Sequence, residues 1–243
     1  MTRTSVHPAL LGGIIAAGEG SRLRADGFRV SKPMVQVGGR PLIDHTLDRF
    51  RAAGIRKVSI VINEASDDCH RWLEHHAGDF DLDLVVRSTP SSYATFRLVA
   101  GRLAEAPAVI TTVDSIMPVD DFRRFVTSAS RFVENVVVLG VTDHVDDENP
   151  LWVTLDSSDG RIRRIGGRDG THVTAGLYWL PVQRPADPAT DFTRLRDYLG
   201  WLVAGHRPVY GVVLPCVFDI DRARDIAAAE STAFGRQRET SDP

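Results

Sequence analysis

The chain has 243 residues, of which 43% are hydrophobic and 25% are charged. This length and composition are ordinary for one large α/β domain or two smaller ones, and no apolar run approaches a membrane span. The formal net charge of −3 excludes the strongly basic surface that nucleic acids and anionic membranes require, so we expect neither as a partner.

The first part of the chain alternates between apolar runs and amphipathic segments. The apolar runs predict strands at 10–17, 57–62, 82–86, 108–113 and 136–141. The segments between them predict helices at 41–54, 67–76, 93–104 and 119–132, the first opened by a proline and closed by a glycine. This β-α alternation predicts an α/β protein with a mostly parallel, Rossmann-like three-layer αβα sheet, covered by helices on both faces.

The pattern changes in the second half. An acidic loop at 143–150 precedes a predicted hairpin, with strands at 151–155 and 161–165. Further strands are predicted at 173–180 and 209–214, and helices at 192–203 and 222–230. We therefore expect a smaller antiparallel portion, a single domain over 1–230, a loose arm at 1–8 and a disordered tail at 231–243.

Two cysteines and the N-terminal apolar run bear on location. Cys69 and Cys216 lack the spacing of a metal or redox motif, which favours reduced thiols and a cytoplasmic protein. The run 9–17 has the composition of a short signal sequence. It leads directly into a glycine loop, however, so we expect no cleavage there.

The stretch after the first strand is typical of a phosphate-binding loop. Gly18 and Gly20 flank a short polar segment in which backbone N–H groups can turn toward an anion, and Ser21 follows. Arg22 and Lys32 add positive charge on the same side. The ATPase loop is excluded because no Gly-Lys-Ser/Thr ending is present, and the dinucleotide fingerprint because its third glycine is missing.

The longer string Ala-Ala-Gly-Glu-Gly-Ser-Arg-Leu at 16–23, with Lys-Pro-Met-Val at 32–35 and Gly-Arg-Pro-Leu-Ile at 39–43, strongly resembles the sugar-phosphate nucleotidylyltransferases. The resemblance implies a GT-A-like nucleotidyltransferase fold. It also implies that the loop binds a nucleoside triphosphate, with Arg22 and Lys32 holding its charge as catalytic residues. The nucleotide-binding residues implied in this way are Gly13, Ala16, Ala17, Gly18, Gly20, Ser21, Thr89, Pro90, Ser91 and Ser92.

Asp114 follows the apolar strand 108–113, so it lies where open α/β sheets place their ligands. A carboxylate beside a triphosphate is repulsive unless a divalent cation lies between them, and Mg²⁺ takes one or two protein carboxylates together with phosphate oxygens. In the resembled family an aspartate before the last helix joins the metal. Asp219 and Asp221 both match that position, and alternation along an extended segment allows only one to face the site; we favour Asp221.

The implied reaction needs no protein nucleophile. A phosphomonoester is already anionic at neutral pH and can attack the α-phosphorus in line, expelling pyrophosphate, so positioning and charge neutralisation suffice. The most direct prediction is a Mg²⁺-dependent enzyme that forms an NDP-sugar from a nucleoside triphosphate and a sugar phosphate. The alternatives are a cytidylyltransferase acting on a non-sugar alcohol phosphate and an inactive nucleotide-binding module. A glycosyltransferase would not need the glycine loop.

The acceptor site departs from the family pattern. The segment that contains Arg164 and Arg168 stands where sugar-phosphate members carry a lysine. An arginine fork can hold two phosphate oxygens, so we predict that Arg164 or Arg168 binds the acceptor's phosphate. Gly176 lies in a segment that matches the family's return strand and is added to this set. The base, the acceptor and the oligomeric state stay open.

Overall fold

The computed structural model describes residues 9–132, 135–145, 148–185, 192–205 and 207–233. The predicted arm at 1–8 and the end of the predicted tail, 234–243, lie outside these residues. None of the helices in the described ranges is long and apolar enough to cross a membrane.

Thirteen strands and seven helices are assigned in these ranges. The strands are β1 Leu11–Ala16, β2 Gln36–Val37, β3 Arg40–Pro41, β4 Lys57–Ile62, β5 Asp81–Val86, β6 Ala108–Thr112, β7 Ser115–Ile116, β8 Val137–Thr142, β9 Trp152–Leu155, β10 Ile162–Ile165, β11 His172–Leu180, β12 Val209–Val213 and β13 Phe218–Asp219. The helices are α1 Ser21–Ala25, α2 Leu42–Ala52, α3 Asp67–His76, α4 Ser92–Arg102, α5 Val119–Ala129, α6 Leu195–Ala204 and α7 Ala223–Ala233, and Lys32–Met34 forms one 3₁₀ turn.

Nine strands form one sheet, and its centre confirms the predicted fold class. The path runs β10-β9-β11-β6-β1-β4-β5, and β8 pairs with both β11 and β12. Strands β6, β1, β4 and β5 are parallel, whereas β11 is antiparallel to its neighbours β6, β8 and β9. The parallel half and the antiparallel portion therefore share one sheet.

Helices cover both faces of β1, and two adjacent glycines let them approach. A Cβ added at Gly12 would lie 2.8 Å from Cε2 of Phe50 on α2, and one added at Gly13 would lie 2.5 Å from Cγ1 of Val99 on α4. Because successive residues of a strand face opposite sides of a sheet, this pair marks the two helical layers. The three-layer arrangement follows from this packing.

Some predicted boundaries differ from the structure. Strand β4 and helix α3 have the predicted limits, but α7 continues to Ala233, so residues 231–233 are helical and do not belong to the predicted tail. The single-domain boundary itself stays a prediction. Two strand pairs, β2–β3 and β7–β13, were not predicted, because strands of two residues carry no recognisable period.

The sheet register positions the site. Ile15 of β1 pairs with Thr112 of β6, so the glycine loop after β1 and Asp114 after β6 emerge side by side at the carboxyl edge. Strand β13 then pairs with β7 directly behind Asp114. Three segments that are far apart in sequence are thereby brought to one point.

Candidate active site

The loop after β1 turns sharply into helix α1. Gly20 adopts φ +63°, a conformation that side chains other than glycine rarely adopt, and a Cβ added there would lie 3.0 Å from Cβ of Lys32. Gly18 is exposed and has open space where a side chain would be. Ala16 and Ala17 are buried at the end of the strand, and Ser21 is the exposed first residue of α1. The predicted phosphate loop thus places Lys32 directly against its backbone.

Lys32 lies at the centre of an ion-pair cluster. Its Nζ is 2.5 Å from Oδ2 of Asp114 and 2.5 Å from Oδ1 of Asp221. The other oxygen of Asp221, Oδ2, is 2.5 Å from Nη1 of Arg22. The structure therefore brings together two predicted cationic residues and two predicted metal ligands, in the chain order Arg22, Lys32, Asp114, Asp221.

Electrostatic interactions within the cluster keep Lys32 and Asp114 charged. Burial alone would lower the pKa of Lys32, but the charges of Asp114, Asp219 and Asp221 outweigh it and raise that pKa well above its usual value. Burial likewise acts to raise the pKa of Asp114, and the adjacent Lys32 overcomes it, so that this pKa lies below its usual value. Each charge is stable because the opposite charge is present.

Asp219 and Asp221 do not divide into one residue inside the site and one outside it. Asp219 lines the cavity described below and contributes to the raised pKa of Lys32, while Asp221 contacts Lys32 directly. The expectation from alternation is corrected because β13 ends at Asp219 and the chain then turns toward α7, so regular alternation no longer holds at Asp221.

The backbone around Asp221 is held by carboxylates that sequence reasoning missed. Oδ2 of Asp225 accepts hydrogen bonds from the N–H groups of Asp221, at 3.0 Å, and of Arg222, at 2.7 Å. Oδ2 of Asp26, just after α1, accepts one from the N–H of Ala223 at 2.9 Å. Asp225 three residues after Arg222 resembles a capping arrangement, and that spacing was the available signal.

The carboxylates suit a divalent cation. Oδ1 of Asp114 is buried and has no hydrogen-bond partner among the described residues, although a buried carboxylate oxygen ordinarily has one. The Lys32 ammonium already occupies a point from which one cation reaches both Asp114 and Asp221. In the described ranges no three His, Cys, Asp or Glu side chains group as a metal cage. Mg²⁺ needs only one or two protein carboxylates when phosphates supply the rest.

The residues expected to read the nucleobase have other tasks in the structure. Gly13 is buried within β1 and makes room for α4, so its position is explained by packing. Ser91 caps α4, since its Oγ accepts a hydrogen bond from the N–H of Ala94 at 3.0 Å. Oγ of Ser92 accepts one from the N–H of Leu195 at 2.9 Å. Both hydroxyls fix helix ends, and their contact with a nucleobase stays a prediction.

The remaining two residues of that loop are less constrained by helices. Thr89 Oγ1 lies 2.6 Å from Thr95 Oγ1, and Pro90 is exposed. Neither observation tests a contact with the base, which stays a prediction.

A cavity of about 330 Å³ opens beside Asp114 and Asp219. Its polar lining includes Thr112, Ser115, Thr142, His144, Arg194 and Arg196, and the same wall contains Gly176 and Tyr178. Gly176 adopts φ +64° at a register shift in β11, and a Cβ there would lie 2.1 Å from Oγ of Ser115. Gly176 therefore lines this cavity, and its contact with an acceptor stays a prediction.

Arg164 and Arg168 do not line this cavity. A register shift between Ile162 and Arg164 leaves Arg164 exposed beside Arg163, and its Nη2 is bound to Oδ1 of Asp169 at 2.8 Å. Arg168 is exposed in the segment that connects β10 to β11. The simple alternation used to aim Arg164 inward fails at the bulge, which corrects the predicted orientation of Arg164.

Two other arginines, Arg194 and Arg196, line this cavity. Arg194 is exposed and forms two hydrogen bonds to Asp197. Arg196 is half-buried, and Nη2 donates to the carbonyl of Asn149 at 2.9 Å, while no carboxylate among the described residues pairs with it. Burial with the charges of Asp114 and Asp219 raises the pKa of Tyr178, and Arg196 acts in the opposite direction, which places its charge near that hydroxyl. Nothing in the local sequence distinguishes Arg196 from other helix arginines.

Comparisons with known proteins identify the family and the fold of this chain. A family model described as the MobA-like NTP transferase domain matches residues 12–233. A Rubrobacter xylanophilus protein named bifunctional IPC transferase and DIPP synthase is 26% identical over 96% of this chain and 54% of its own length. The chain thus spans about half the length of that relative. Its match to the CMP-5'-(3-aminopropyl)phosphonate synthase of Streptomyces rubellomurinus covers 14% of that protein.

Two solved structures share the fold. The inositol-1-phosphate CTP transferase of T. maritima superposes with a TM-score of 0.72 at 18% identity, covering 93% of this chain and 98% of that one. A protein assigned as a glucose-1-phosphate thymidylyltransferase of Bacillus anthracis gives 0.78 at 17% identity, covering 93% and 95%. At these identities the likeness shows the fold alone.

Proposed function

Because the chain belongs to the family of MobA-like NTP transferase domains, we propose that it transfers a nucleotidyl group from a nucleoside triphosphate to a phosphorylated small molecule. A phosphate oxygen of the acceptor attacks the α-phosphorus, and the bond to the β,γ-pyrophosphate breaks, so no proton has to move. The observation that carries the proposal is the cluster of Arg22, Lys32, Asp114 and Asp221 at the end of the glycine loop.

The cluster supports the charge-stabilising part of this reaction. Lys32 and Arg22 are held beside the loop by carboxylates, and a bound triphosphate would offer them stronger, more highly charged partners. Preorganised cations of this kind stabilise charge that builds up on the departing pyrophosphate.

We further propose that Mg²⁺ binds to Asp114 with Asp221, and that Asp219 lies close enough to assist. When bound, this ion would neutralise phosphate oxygens and hold them in line. The unpartnered Oδ1 of Asp114 supports this assignment from the protein side. Displacement of Lys32 from the two carboxylates would direct its ammonium to the triphosphate.

The acceptor is assigned to the cavity beside Asp219, with its phosphate near Arg196. Arg196 is half-buried, has only a neutral carbonyl as its partner among the described residues and acts electrostatically on Tyr178. A phosphate would give its guanidinium a charged, bidentate partner. Gly176 keeps the wall clear, because any larger side chain would displace Ser115 and Thr112.

The acceptor class has two candidates. Sugar phosphates are favoured by the resemblance to sugar-phosphate nucleotidylyltransferases, and the Bacillus anthracis structure carries such a name. A cytidylyl transfer to a non-sugar alcohol phosphate is the second candidate, since the T. maritima structure is named for inositol 1-phosphate and CTP.

The reduced thiols expected for both cysteines and the net charge of −3 support a cytoplasmic enzyme without nucleic-acid partners.

One experiment tests the proposal and separates the candidates. The protein is mixed with each nucleoside triphosphate, MgCl₂ and either hexose 1-phosphates, inositol 1-phosphate or glycerol 3-phosphate, and pyrophosphate release is measured. We expect release with one nucleotide and one acceptor class, and loss of release with EDTA or Asp114→Asn. Nucleotide binding without pyrophosphate release in any combination would instead favour an inactive binding module.

A further inference from the structure

A buried arginine lies behind the candidate metal-binding turn. Arg49 of α2 is 1% exposed, and it is the largest fully buried side chain among the described residues. Its Nη2 donates to Oγ1 of Thr46 at 3.0 Å and to the carbonyl oxygen of Ser115 at 2.8 Å. Its Nε is buried without a partner, and no carboxylate of the described residues lies within ion-pair distance of the guanidinium, although the charge of Asp48 acts to raise its pKa. Arg49 is thus a buried cation whose partners are one hydroxyl and one backbone carbonyl.

Such a group is costly for the fold. A buried charge without an ion-pair partner loses hydration that two hydrogen bonds only partly replace. Burial lowers the pKa of Arg49 to about 10, which still leaves it protonated at neutral pH. A methionine or leucine of similar volume would fill the same space without that cost. The presence of the charge is therefore better explained by what its hydrogen bonds hold than by filling of the core.

The hydrogen bond to Ser115 connects Arg49 to β7, the strand that follows Asp114 and pairs with β13, which contains Asp219. The N–H of Ile220 donates to the carbonyl of Asp114 at 3.1 Å, so these two residues form a hydrogen-bonded pair of the β7–β13 ladder. Hydrogen-bonded and non-hydrogen-bonded pairs alternate in an antiparallel ladder, so the next pair, Asp219 with Ser115, is of the second kind. The carbonyl of Ser115 therefore points away from β13, and Arg49 is the group that binds it there.

We propose that Arg49 is a positioning residue that anchors the Asp114–Ser115 turn and, through the β7–β13 ladder, sets the separation of Asp114 from Asp219 and Asp221. The turn is closed on its other side by the 2.8 Å contact between the hydroxyls of Thr112 and Ser115. With both contacts, the backbone that carries Asp114 is fixed from two directions. Without Arg49, one carbonyl of this short strand loses its partner and the carboxylate pair loosens. The inference rests on the proposed function only in assigning those carboxylates to a metal.

The test replaces Arg49 by methionine and follows three readouts. Residues that orient metal ligands typically change metal affinity or activity by about 10–100-fold when they are removed, and we expect Arg49→Met to weaken Mn²⁺ binding by that factor. We also expect faster amide exchange at 112–117 and 217–221 by hydrogen–deuterium exchange. In turnover, kcat should fall while the KM of the acceptor stays nearly constant.

Arg184 provides a matched control. It too donates to backbone carbonyls, those of Pro181, Leu103 and Ala106, and has a buried Nε without a partner. Burial lowers the pKa of Arg184 to about 10 as well. Because it lies away from the cluster, Arg184→Met should reduce stability yet leave Mn²⁺ affinity and exchange at 112–117 unchanged.

The outcomes separate this inference from the proposed function. If Arg49→Met folds and matches the wild type in Mn²⁺ affinity and in exchange at both segments, the anchoring role is refuted. If Arg49→Met does not fold, Arg49→Lys is the second variant, because it keeps the positive charge and one donor nitrogen. Arg49→Lys should fold, and its Mn²⁺ affinity should lie between that of the wild type and that of Asp114→Asn, which lacks a candidate metal ligand. A Lys variant indistinguishable from the wild type in all three readouts would also overturn the proposal. If the wild type binds no Mn²⁺ and releases no pyrophosphate, the proposed function fails, and the exchange arm still decides whether Arg49 holds the turn.

Discussion

Replacement of Lys32 by methionine is the most informative perturbation of the cluster. Methionine retains much of the side-chain length but removes the ammonium that lies 2.5 Å from both Asp114 and Asp221. Asp221 keeps Arg22 as a partner, whereas Asp114 loses its only ion pair among the described residues. The variant therefore leaves one largely buried carboxylate without an ion-pair partner among the described residues.

The expected loss of stability follows from the burial of the pair. The side chains of Lys32 and Asp114 are 9% and 19% exposed, which places the pair nearer the buried limit than the surface one. Removing one partner of a buried pair costs about 3–5 kcal/mol, and an exposed pair contributes about 0–1 kcal/mol, so we expect a loss of about 2–3 kcal/mol. For a chain of this size the corresponding fall in Tm is about 4–12 °C.

Magnesium should reverse part of that loss. In Lys32→Met, Mg²⁺ can bind between Asp114 and Asp221 without competing with the ammonium, and a ligand that binds only the folded state raises its stability. We therefore expect millimolar MgCl₂ to raise the Tm of Lys32→Met by more than it raises that of the wild type. Urea unfolding and thermal melts by circular dichroism, each with and without MgCl₂, measure both effects. Turnover of the variant should fall on the order of a hundredfold or more.

The chain offers a matched control for this substitution. Lys57 is the second of its two lysines, is exposed on the surface and pairs with Glu105. Lys57→Met should change the free energy of unfolding by no more than about 1 kcal/mol and should not alter the response to MgCl₂. If Lys32→Met is as stable as Lys57→Met, or if both respond equally to MgCl₂, the reasoning about the cluster is refuted.

Three further predictions concern the same site. Arg196→Ala should raise the KM of the acceptor while the affinity for the triphosphate stays nearly constant, and Arg164→Ala should change neither; steady-state kinetics would count against the assignment if the two variants behaved alike. Gly176→Ala should impair turnover much more than Gly54→Ala, because both glycines have positive φ but only Gly176 faces atoms that a Cβ would displace; equal losses would mean that backbone strain alone decides. The ionised Asp114 stabilises the fold at pH values above the pKa of about 4 that its carboxyl has in the unfolded chain, and this contribution is lost as the pH falls through the lower pKa of the folded protein. The difference in free energy of unfolding between the wild type and Asp114→Asn, measured in urea, should therefore shrink below about pH 4. A difference that does not change with pH would argue against the ion pair.

Local sequence was sufficient for the elements whose signal lies within a few residues. Strand β4 and helix α3 were predicted with their observed limits, because apolar periodicity and flanking polar residues are local properties. The glycine loop was also predictable, since only glycine adopts the conformation of Gly20 without strain. Asp114 could be placed at the sheet edge because it ends an apolar run.

Pairing between distant segments could not be predicted in the same way. The strands β7 and β13 have two residues each and are brought together only by the fold, so nothing local indicated that Asp219 would stand beside Ser115. Arg49 was hidden for a related reason. Its position on α2 is clear from the helical period, but the carbonyl it binds belongs to a residue 66 positions later.

The arginines proposed to bind the acceptor show what local sequence does not predict. Arg164 is a residue type that binds phosphate, and alternation along its strand predicts that it faces inward. A register shift instead leaves it exposed, and Asp169 forms an ion pair with it. Arg196 stands in an unremarkable helix, yet the packing of α6 brings it to the wall beside Asp219. Local patterns were enough to predict a glycine loop after the first strand, a carboxylate at a strand end and arginines able to bind phosphate. Which of these charges meet depends on the fold, because an ion pair requires distances that are set by strand register and helix packing rather than by spacing along the chain.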